Sequence, residues 1–150
     1  MKIAIGSDHA GFNLKEHLKK YLEKKGYSVL DQGSEKAERC DYPDFAARVC
    51  LLIQKEEVKQ GILVCGTGIG MSMMANKFQG IRAAVVSDSF SAAATKNHND
   101  ANVLCLGERI VGTGVAEAIV DAWSDAVFEG GRHKDRIDKI MNFEKNNLSK

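Results

Sequence analysis

A cysteine directly before a glycine-rich turn is the feature of this sequence with the clearest chemical meaning. Cys65 ends the apolar run Ile62-Leu63-Val64, and Gly66-Thr67-Gly68-Ile69-Gly70 follows at once. A turn with so few bulky Cβ atoms can aim several backbone N–H groups at one point, so it suits an anion or an oxyanion. Such amides favour the thiolate of Cys65 over the thiol. We therefore predict that Cys65 is a base at neutral pH, the alternative being a small buried apolar residue.

Polar and ionisable residues also follow two other apolar runs. Ser7-Asp8-His9-Ala10-Gly11 comes after the first run of the chain and Gly107-Glu108-Arg109 after the last. Ligands of parallel α/β sheets bind beyond the carboxyl ends of the strands, so we expect both segments to lie beside Cys65. His98 lies in Asn97-His98-Asn99-Asp100, at the end of a predicted helix, where neighbouring side chains can fix its tautomer. The alternative for His98 is a helix C-cap.

Two arginines near the C-terminus are spaced for a phosphate. Arg132 and Arg136 follow Gly130-Gly131 at positions i and i+4, so both guanidinium groups share one helical face. Two planar forks side by side suit a phosphate dianion. The alternative is a solvated basic face on which Asp135 and Asp138 are the partners.

The elements that must position these residues alternate along the chain. Short runs rich in β-branched residues alternate with longer runs of helical period, which is typical of βα units around a parallel sheet. Predicted strands cover residues 2–6, 28–31, 61–65, 82–86 and 103–106. The first predicted helix has an apolar stripe between Leu14 and Leu22. The other predicted helices cover residues 42–57, 70–78, 89–97, 113–128 and 134–146. A long loop is predicted over residues 31–44. We predict a single domain with a doubly wound, Rossmann-like, five-stranded parallel sheet, helices on both faces and a C-terminal helical arm.

Composition excludes several classes of protein. The 150 residues carry 21 Lys and Arg against 20 Asp and Glu, and a net charge of +1 gives no electrostatic case for a nucleic-acid or membrane partner. No apolar run approaches the roughly 20 residues of a membrane span, and the start of the chain does not resemble a signal peptide, so we expect a cytoplasmic protein. The spacing of the four cysteines fits neither a disulfide framework nor a CxxC metal site. We expect no metal, and structural roles for Cys40, Cys50 and Cys105.

A dinucleotide-binding fold is the first competing interpretation of the glycine turn. Asp88 lies 22 residues after Gly66, close to where a ribose-binding acid would be. However, the third glycine comes one place too early for G-x-G-x-x-G, and the turn follows the third predicted strand instead of the first. The pattern therefore disfavours a nicotinamide cofactor, and we expect no cofactor.

Several segments together closely resemble the type B ribose-5-phosphate isomerases and their relatives, which include galactose-6-phosphate isomerase. The resemblance runs from Met1 to about Ile140. The matching segments are Gly6 to Gly11, Asp41-Tyr42-Pro43-Asp44, Cys65 to Gly70, Ala75-Asn76-Lys77, His98 to Leu104 and Gly130 to His133.

The resemblance implies an aldose-ketose isomerase that works through an enediolate. Cys65 would accept the proton, His98 would open the furanose ring and Thr67 would lie beside the reacting carbons. Asp8, His9 and Asn99 would hold the sugar hydroxyls. The enediolate oxygens would be bound by the backbone of Gly66, Thr67, Gly68, Ile69 and Gly70. The phosphate would be bound by Arg109, Arg132 and Arg136. Some relatives instead use a glutamate on the helix after the turn, where this chain has Met71.

The resemblance also implies a homodimer, or a tetramer, in which the arginines of the terminal helix complete the site of the partner chain. Three alternatives stay open. The sugar could be allose or galactose 6-phosphate, since these differ from ribose 5-phosphate by one carbon and the orientation of hydroxyls. The chain could be a sugar-phosphate sensor that needs no thiolate. A thiol hydrolase using Cys65, His98 and Asp8 is disfavoured, because no hydrolase motif accompanies the three residues.

Overall fold

Five parallel strands form the centre of the molecule. The computed structural model describes residues 1–148. The strands are β1 (Lys2–Ser7), β2 (Ser28–Asp31), β3 (Gly61–Cys65), β4 (Ala83–Val85) and β5 (Val103–Gly107), and they pair in the order β2-β1-β3-β5-β4. Every pairing is parallel, as the alternation of strand and helix predicts. Because β3 lies between β1 and β5, the carboxyl ends of these three strands meet at one edge of the sheet.

Residues 1–148 also form six helices. They are α1 (Phe12–Lys24), α2 (Tyr42–Gln54), α3 (Ile69–Ala75), α4 (Ser89–Asn99), α5 (Thr113–Asp125) and α6 (Arg132–Leu148). A short 3-10 turn, His9–Gly11, precedes α1. Across residues 1–148, none of the helices combines the length and apolar character that crossing a membrane requires.

Two hydrophobic cores lie on opposite faces of the sheet. Along β3, Ile62 and Val64 face the core formed with α1, α4 and α5, which contains Trp123. Leu63 and Cys65 face the other core, formed with α2 and α3. This alternation of side chains is the pattern of a strand buried on both faces. It confirms the prediction of a doubly wound sheet with helices on both faces.

Most strand and helix boundaries differ by a few residues from the sequence prediction. Helix α2 ends at Gln54 instead of 57, because Glu56 takes a left-handed conformation with φ 59°. Helix α5 ends at Asp125 instead of 128, because Ala126 is extended. Helix α3 ends at Ala75 instead of 78, since the side chain of Asn76 pairs with the backbone of Ala83 at the start of β4. The terminal helix begins two residues earlier than predicted, at Arg132.

The direction of α4 determines which edge of the sheet each polar segment reaches. Helix α4 runs back from the carboxyl edge, and its last residues lie beside the residues that precede β4 and β5. Residues Arg82 and Asn102 mark this amino edge, where the amide of Asn102 donates to the carbonyl oxygen of Arg82. Strand β5 crosses the sheet from Val103 to Gly107, a path of about 13 Å. His98, in the last turn of α4, and Cys65, paired with Gly107, therefore lie at opposite edges.

Candidate active site

Cys65 is buried at the end of β3, where the whole residue is only 6% exposed. The amide of Gly68 donates to Sγ of Cys65 at 3.1 Å. The amide of Glu108 donates to the carbonyl oxygen of Cys65 at 2.9 Å, which continues the pairing of β3 with β5 past the last strand residue. The thiol therefore lies directly against the glycine turn, as the sequence predicts.

The glycine turn packs directly on the backbone of neighbouring strands. Gly68 has φ 80°, and a Cβ atom there would lie 2.8 Å from Val85 and 3.0 Å from the backbone of Leu106. A Cβ atom on Gly107 would lie 2.6 Å from Cα of Thr67. Both positions require glycine, because only glycine lets the turn approach the strands so closely. This packing holds the amides of the turn in place around Cys65.

Thr67 is the exposed residue at the tip of the turn. Its Oγ1 accepts a hydrogen bond from the amide of Ile69 at 3.3 Å, and Ile69 is itself half exposed. Gly66 and Gly68 are buried, whereas Gly70 lies against the ring of Tyr42. The side chain of Thr67 therefore lies exposed above the carboxyl edge, next to the buried glycines of the turn.

The 3-10 turn after β1 presents a carboxylate and an imidazole at the same edge. Oδ1 of Asp8 accepts from the amides of Ala10 and Gly11 at 2.9 and 3.1 Å, which leaves Oδ2 for a ligand. Nδ1 of His9 lies 3.2 Å from the carbonyl oxygen of Cys40 and 3.3 Å from its amide nitrogen. The long loop over residues 31–44 thus orients the ring of His9 and leaves Nε2 for a ligand, a role for Cys40 that nothing in the sequence indicated.

Glu108 and Arg109 follow β5 and have different roles. The amide of Arg109 donates to the carbonyl oxygen of Gly66 at 3.1 Å, and its guanidinium lies over that glycine. Oε2 of Glu108 accepts from the amide of Leu14 at 2.9 Å and Oε1 from the side chain of Asn13 at 3.2 Å. Glu108 thereby satisfies one free backbone amide at the start of α1, that of Leu14. The structure places Arg109 in the carboxyl-edge set with Asp8, His9, Cys65 and residues 66–70.

A second set of polar side chains lies at the amino edge, around the end of α4. The rings of His98 and His133 stack, with centroids 4.5 Å apart and planes 11° from parallel. Nε2 of His133 lies 3.4 Å from Oε2 of Glu129, and the amide of Glu129 donates to the carbonyl oxygen of Asn97 at 3.0 Å. Burial lowers the pKa of His133, and His98 and Arg132 lower it further.

Arg132 and Arg136 belong to this amino-edge set, with Asn99. Both arginines are exposed in the first turns of α6, one turn apart. Asp138, one of the carboxylates that a solvated basic face would use, pairs with Lys134. Both arginines are therefore exposed near His133, and their spacing on α6 is the one that the sequence predicts for a phosphate ligand.

The predicted site residues thus form two sets in one chain, separated by the length of β5. The carboxyl-edge set contains Asp8, His9, Cys65, Gly66, Thr67, Gly68, Ile69, Gly70 and Arg109. The amino-edge set contains His98, Asn99, Arg132 and Arg136. The roughly 13 Å path along β5 prevents one small ligand from touching both His98 and Cys65 of the same chain.

Cys50, Cys105 and Met71 offer no second base beside the turn. Burial raises the pKa of Cys50 to about 12. Burial also raises the pKa of Cys105, and the neighbouring thiols of Cys50 and Cys65 add to the effect. Met71, a residue of α3, is fully buried in the core that this helix forms with the sheet. Cys50 and Cys105 are therefore unreactive thiols of the core.

One group of side chains could hold a metal ion, among those in residues 1–148. The ligand atoms of His98, Glu129 and His133 all lie within 4.8 Å of one another. Tetrahedral Zn²⁺ has bonds of about 2.0–2.2 Å. Its ligand atoms must therefore lie closer to one another than 4.8 Å, and their lone pairs must point at one position. The stacked rings of His98 and His133 do not meet that requirement, and Arg132 adds positive charge beside them.

Known proteins match the chain over nearly its whole length. The family described as Ribose/Galactose Isomerase matches residues 3–140. Ribose-5-phosphate isomerase B of Escherichia coli is 50% identical over 143 residues, which cover 95% of this chain and 96% of that protein. The solved ribose-5-phosphate isomerase B of Clostridium thermocellum has a TM-score of 0.97 and 50% identity, covering 98% of this chain and 99% of that one.

A further solved relative carries a ligand. Ribose-5-phosphate isomerase B of Mycoplasma genitalium, with bound ribulose-5-phosphate, has a TM-score of 0.93 and 45% identity and covers 96% of each chain. Identities of this size over almost the full length confirm the resemblance that the motifs indicate. The chain belongs to the ribose/galactose isomerase family.

Proposed function

We propose that this chain interconverts ribose 5-phosphate and ribulose 5-phosphate through an enediolate. The observation that carries the proposal is the buried Cys65 thiol, hydrogen-bonded to the glycine turn at the carboxyl edge of the sheet. The relative solved with ribulose-5-phosphate supports the choice of sugar. The reaction is a transfer of protons between adjacent carbons and oxygens of one molecule, so it needs neither a metal nor a nicotinamide.

The carboxyl-edge set supplies the groups for the proton transfer. The thiolate of Cys65 removes the proton from C2 of the open-chain aldose, and the electron pair moves onto the carbonyl oxygen at C1. The amides of residues 66–70 stabilise the resulting enediolate. The proton of the C2 hydroxyl then moves to the oxygen on C1, Cys65 returns its proton to C1, and C2 becomes the carbonyl carbon of the ketose. Thr67 lies beside these carbons, and Asp8 and His9 hold sugar hydroxyls. Loss of an oxyanion donor typically lowers the rate on the order of 10²- to 10³-fold, so the turn matters as much as the thiol.

The amino-edge set has to come from a second copy of the chain, which makes the proposed enzyme a homodimer. His98 opens the furanose ring and Arg132 and Arg136 bind phosphate, but within one chain they lie across the sheet from Cys65. Exposed apolar side chains near the carboxyl edge support a partner there, with Ile69 54%, Met73 64% and Phe90 83% exposed. A two-fold axis would complete both sites at once, and a tetramer would combine two such dimers.

We also propose that the chain acts in the cytoplasm. All four cysteines are free thiols, and three of them are buried. Free thiols are the usual state of cysteine in the reducing cytosol, whereas secreted proteins of this size commonly pair them.

An assay of the purified protein tests the proposed function. Ribose 5-phosphate, allose 6-phosphate and galactose 6-phosphate are supplied separately, and the ketose product is measured. We expect the highest kcat/KM for ribose 5-phosphate. Faster turnover of a hexose phosphate would contradict the choice of sugar. Binding of all three without turnover would identify a sugar-phosphate sensor instead of an enzyme.

Replacing His98 with asparagine is expected to slow turnover of ribose 5-phosphate much more than turnover of ribulose 5-phosphate. Ribose 5-phosphate is mainly a furanose, whereas ribulose 5-phosphate is acyclic because its C5 hydroxyl carries the phosphate. Ring opening needs a proton transfer separate from the one that Cys65 performs, and such a group contributes roughly 10²-fold or more. Initial rates in the two directions provide the measurement. Equal slowing in both directions would show that His98 does not open the ring.

Replacing Arg109 with alanine is expected to raise KM for ribose 5-phosphate about tenfold or more. The exposed guanidinium lies over Gly66, where it can form charge-assisted hydrogen bonds to the phosphate. Steady-state kinetics at several concentrations of inorganic phosphate measure both KM and the inhibition constant of phosphate. If Arg109 binds the phosphate group, inorganic phosphate should inhibit the variant more weakly than the wild type. An unchanged KM in a variant with the wild-type melting temperature would place Arg109 among the solvated surface residues.

A further inference from the structure

The turn that carries His98 has an unusual backbone. Asp100 follows the last residue of α4 with φ 45° and ψ 45°, a left-handed conformation that residues with a Cβ atom rarely adopt. Carbonyl oxygens at the end of a helix also lack partners within the helix. A turn of this kind holds one conformation only where surrounding groups stabilise it.

Arg82 provides that stabilisation through one planar group. Its Nε lies 3.1 Å from the carbonyl oxygens of both Asn99 and Asp100. Its Nη2 donates to the carbonyl oxygen of Asp100 at 2.7 Å and to Oδ2 of the same residue at 2.9 Å. The guanidinium thus binds two main-chain oxygens and a carboxylate in fixed directions. The single ammonium of a lysine cannot reproduce this arrangement.

Arg82 is itself firmly attached to the amino edge of the sheet. Its amide donates to Oδ1 of Asn102 at 2.8 Å, and its carbonyl oxygen accepts from the amides of Asn102 and Val103 at 3.1 and 3.3 Å. Its side chain is 20% exposed, and Nη1 lies 3.7 Å from Sδ of Met141 on α6. The backbone of Arg82 therefore holds the start of β5, and its guanidinium joins the end of α4 to the helix that carries Arg132.

We propose that Arg82 is a positioning residue for ring opening, because it fixes the turn after α4 and thereby the position of His98 in the last turn of that helix. This inference rests on the proposed function, since it requires His98 to act on the furanose. Arg82 acts through the turn and does not contact the sugar. A displacement of a reacting group by about 1 Å can lower a rate about 10²-fold, so a small change in this turn has a measurable effect.

The test is the variant Arg82→Lys in the full chain, assayed in both directions. We expect kcat for ribose 5-phosphate to fall about tenfold or more, while kcat for ribulose 5-phosphate stays within about threefold of wild type. This is the same split between directions that His98→Asn should give. A residue that only stabilised the fold would lower both rates together.

Two further variants serve as matched controls. Arg48→Lys makes the same chemical change on α2, where the guanidinium lies over the ring of Phe45, and both directions should stay near wild type. Asp100→Gly keeps the carbonyl oxygen that Arg82 binds and suits the left-handed conformation, so it should change the ring-opening direction far less than Arg82→Lys.

Three results would overturn the role of Arg82. The first is that Arg82→Lys slows both directions of the reaction equally, and the second is that it slows neither direction. The third is that both Arg82→Lys and Arg82→Gln fail to fold, which would make Arg82 a residue of general stability. Each result leaves the proposed function intact provided that the wild-type protein isomerises ribose 5-phosphate. Absence of isomerisation in the wild-type protein would instead contradict the proposed function itself.

Discussion

Replacing Cys65 with alanine is expected to lower kcat for ribose 5-phosphate at least about 10²-fold while the sugar still binds. Loss of a general base commonly has an effect of this size, and neither Cys50, Cys105 nor Met71 can take over the proton. Alanine is smaller than cysteine and leaves the amides of the glycine turn in place, so the Kd measured by calorimetry should stay close to that of wild type. Steady-state kinetics and calorimetry on the same preparation separate the two effects.

Cys50→Ala is the matched control for this prediction. It removes the same sulfur atom from the same core, but the pKa of Cys50 is raised to about 12 by burial and its thiol is not expected to ionise. Its kcat should stay within a few-fold of wild type. If Cys65→Ala retains more than about a tenth of kcat, Cys65 is not the base.

Mixing two inactive variants is expected to restore activity, because each lacks a different half of the shared site. Cys65→Ala lacks the base of the carboxyl-edge set, and Arg132→Ala/Arg136→Ala lacks the phosphate ligands of the amino-edge set. Unfolding the two together and refolding them gives mixed dimers in about half of the population. Each mixed dimer contains one intact site, so about a quarter of wild-type activity should return.

A second mixture controls for effects of refolding. His98→Asn and Arg132→Ala/Arg136→Ala both damage the amino-edge set, so no mixed dimer of these two has an intact site, and activity on the furanose should stay low. Mass measurement of differently tagged chains confirms that mixed dimers form. If Cys65→Ala with Arg132→Ala/Arg136→Ala stays inactive despite mixed dimers, the arginines serve their own subunit and the shared site is wrong.

The pattern of strands was predictable because each strand is a short apolar run followed by polar residues. Buried parallel strands must be apolar on both faces, so β3 and β5 stand out in the sequence. Helix ends were less predictable, because they depend on tertiary contacts. Asn76 ends α3 by pairing with Ala83, and Glu56 ends α2 with a left-handed backbone. Propensity alone does not report either interaction.

The order of the strands was not predictable from single runs. Strand β4 pairs at the outer side of β5 instead of beside β3, which comes before it in the chain. Nothing in the three residues of β4, two alanines and a valine, specifies its neighbour. In the fold, α3 packs against both β4 and β5, and its contact with β5 joins segments that are distant along the chain.

The carboxyl-edge set was predicted from the rule that ligands of parallel α/β sheets bind beyond the carboxyl ends of the strands. In the amino-edge set, the position of His98 was predictable, but its contact with His133 was not. His98 comes at the end of a helix and directly before a strand, and that position alone implies the amino edge. Its stacking on His133 joins residues 35 positions apart and has no sequence signature. Arg82 and Glu108 were missed as supporting residues, since a charged residue at a strand end is common and its partners are known only from the fold.

The close approach of Gly107 to Thr67 also limits how this protein can diversify. A Cβ atom at Gly107 would lie 2.6 to 2.8 Å from main-chain atoms of Thr67. A change of side-chain rotamer cannot relieve this clash, because the atoms of Thr67 that are involved belong to its backbone. At Gly112 and Gly114, a few residues later, a Cβ atom would meet nothing within 4 Å. Mutational tolerance therefore changes abruptly along this short segment. A library randomised over it should return many residue types at the two later glycines and only glycine at position 107.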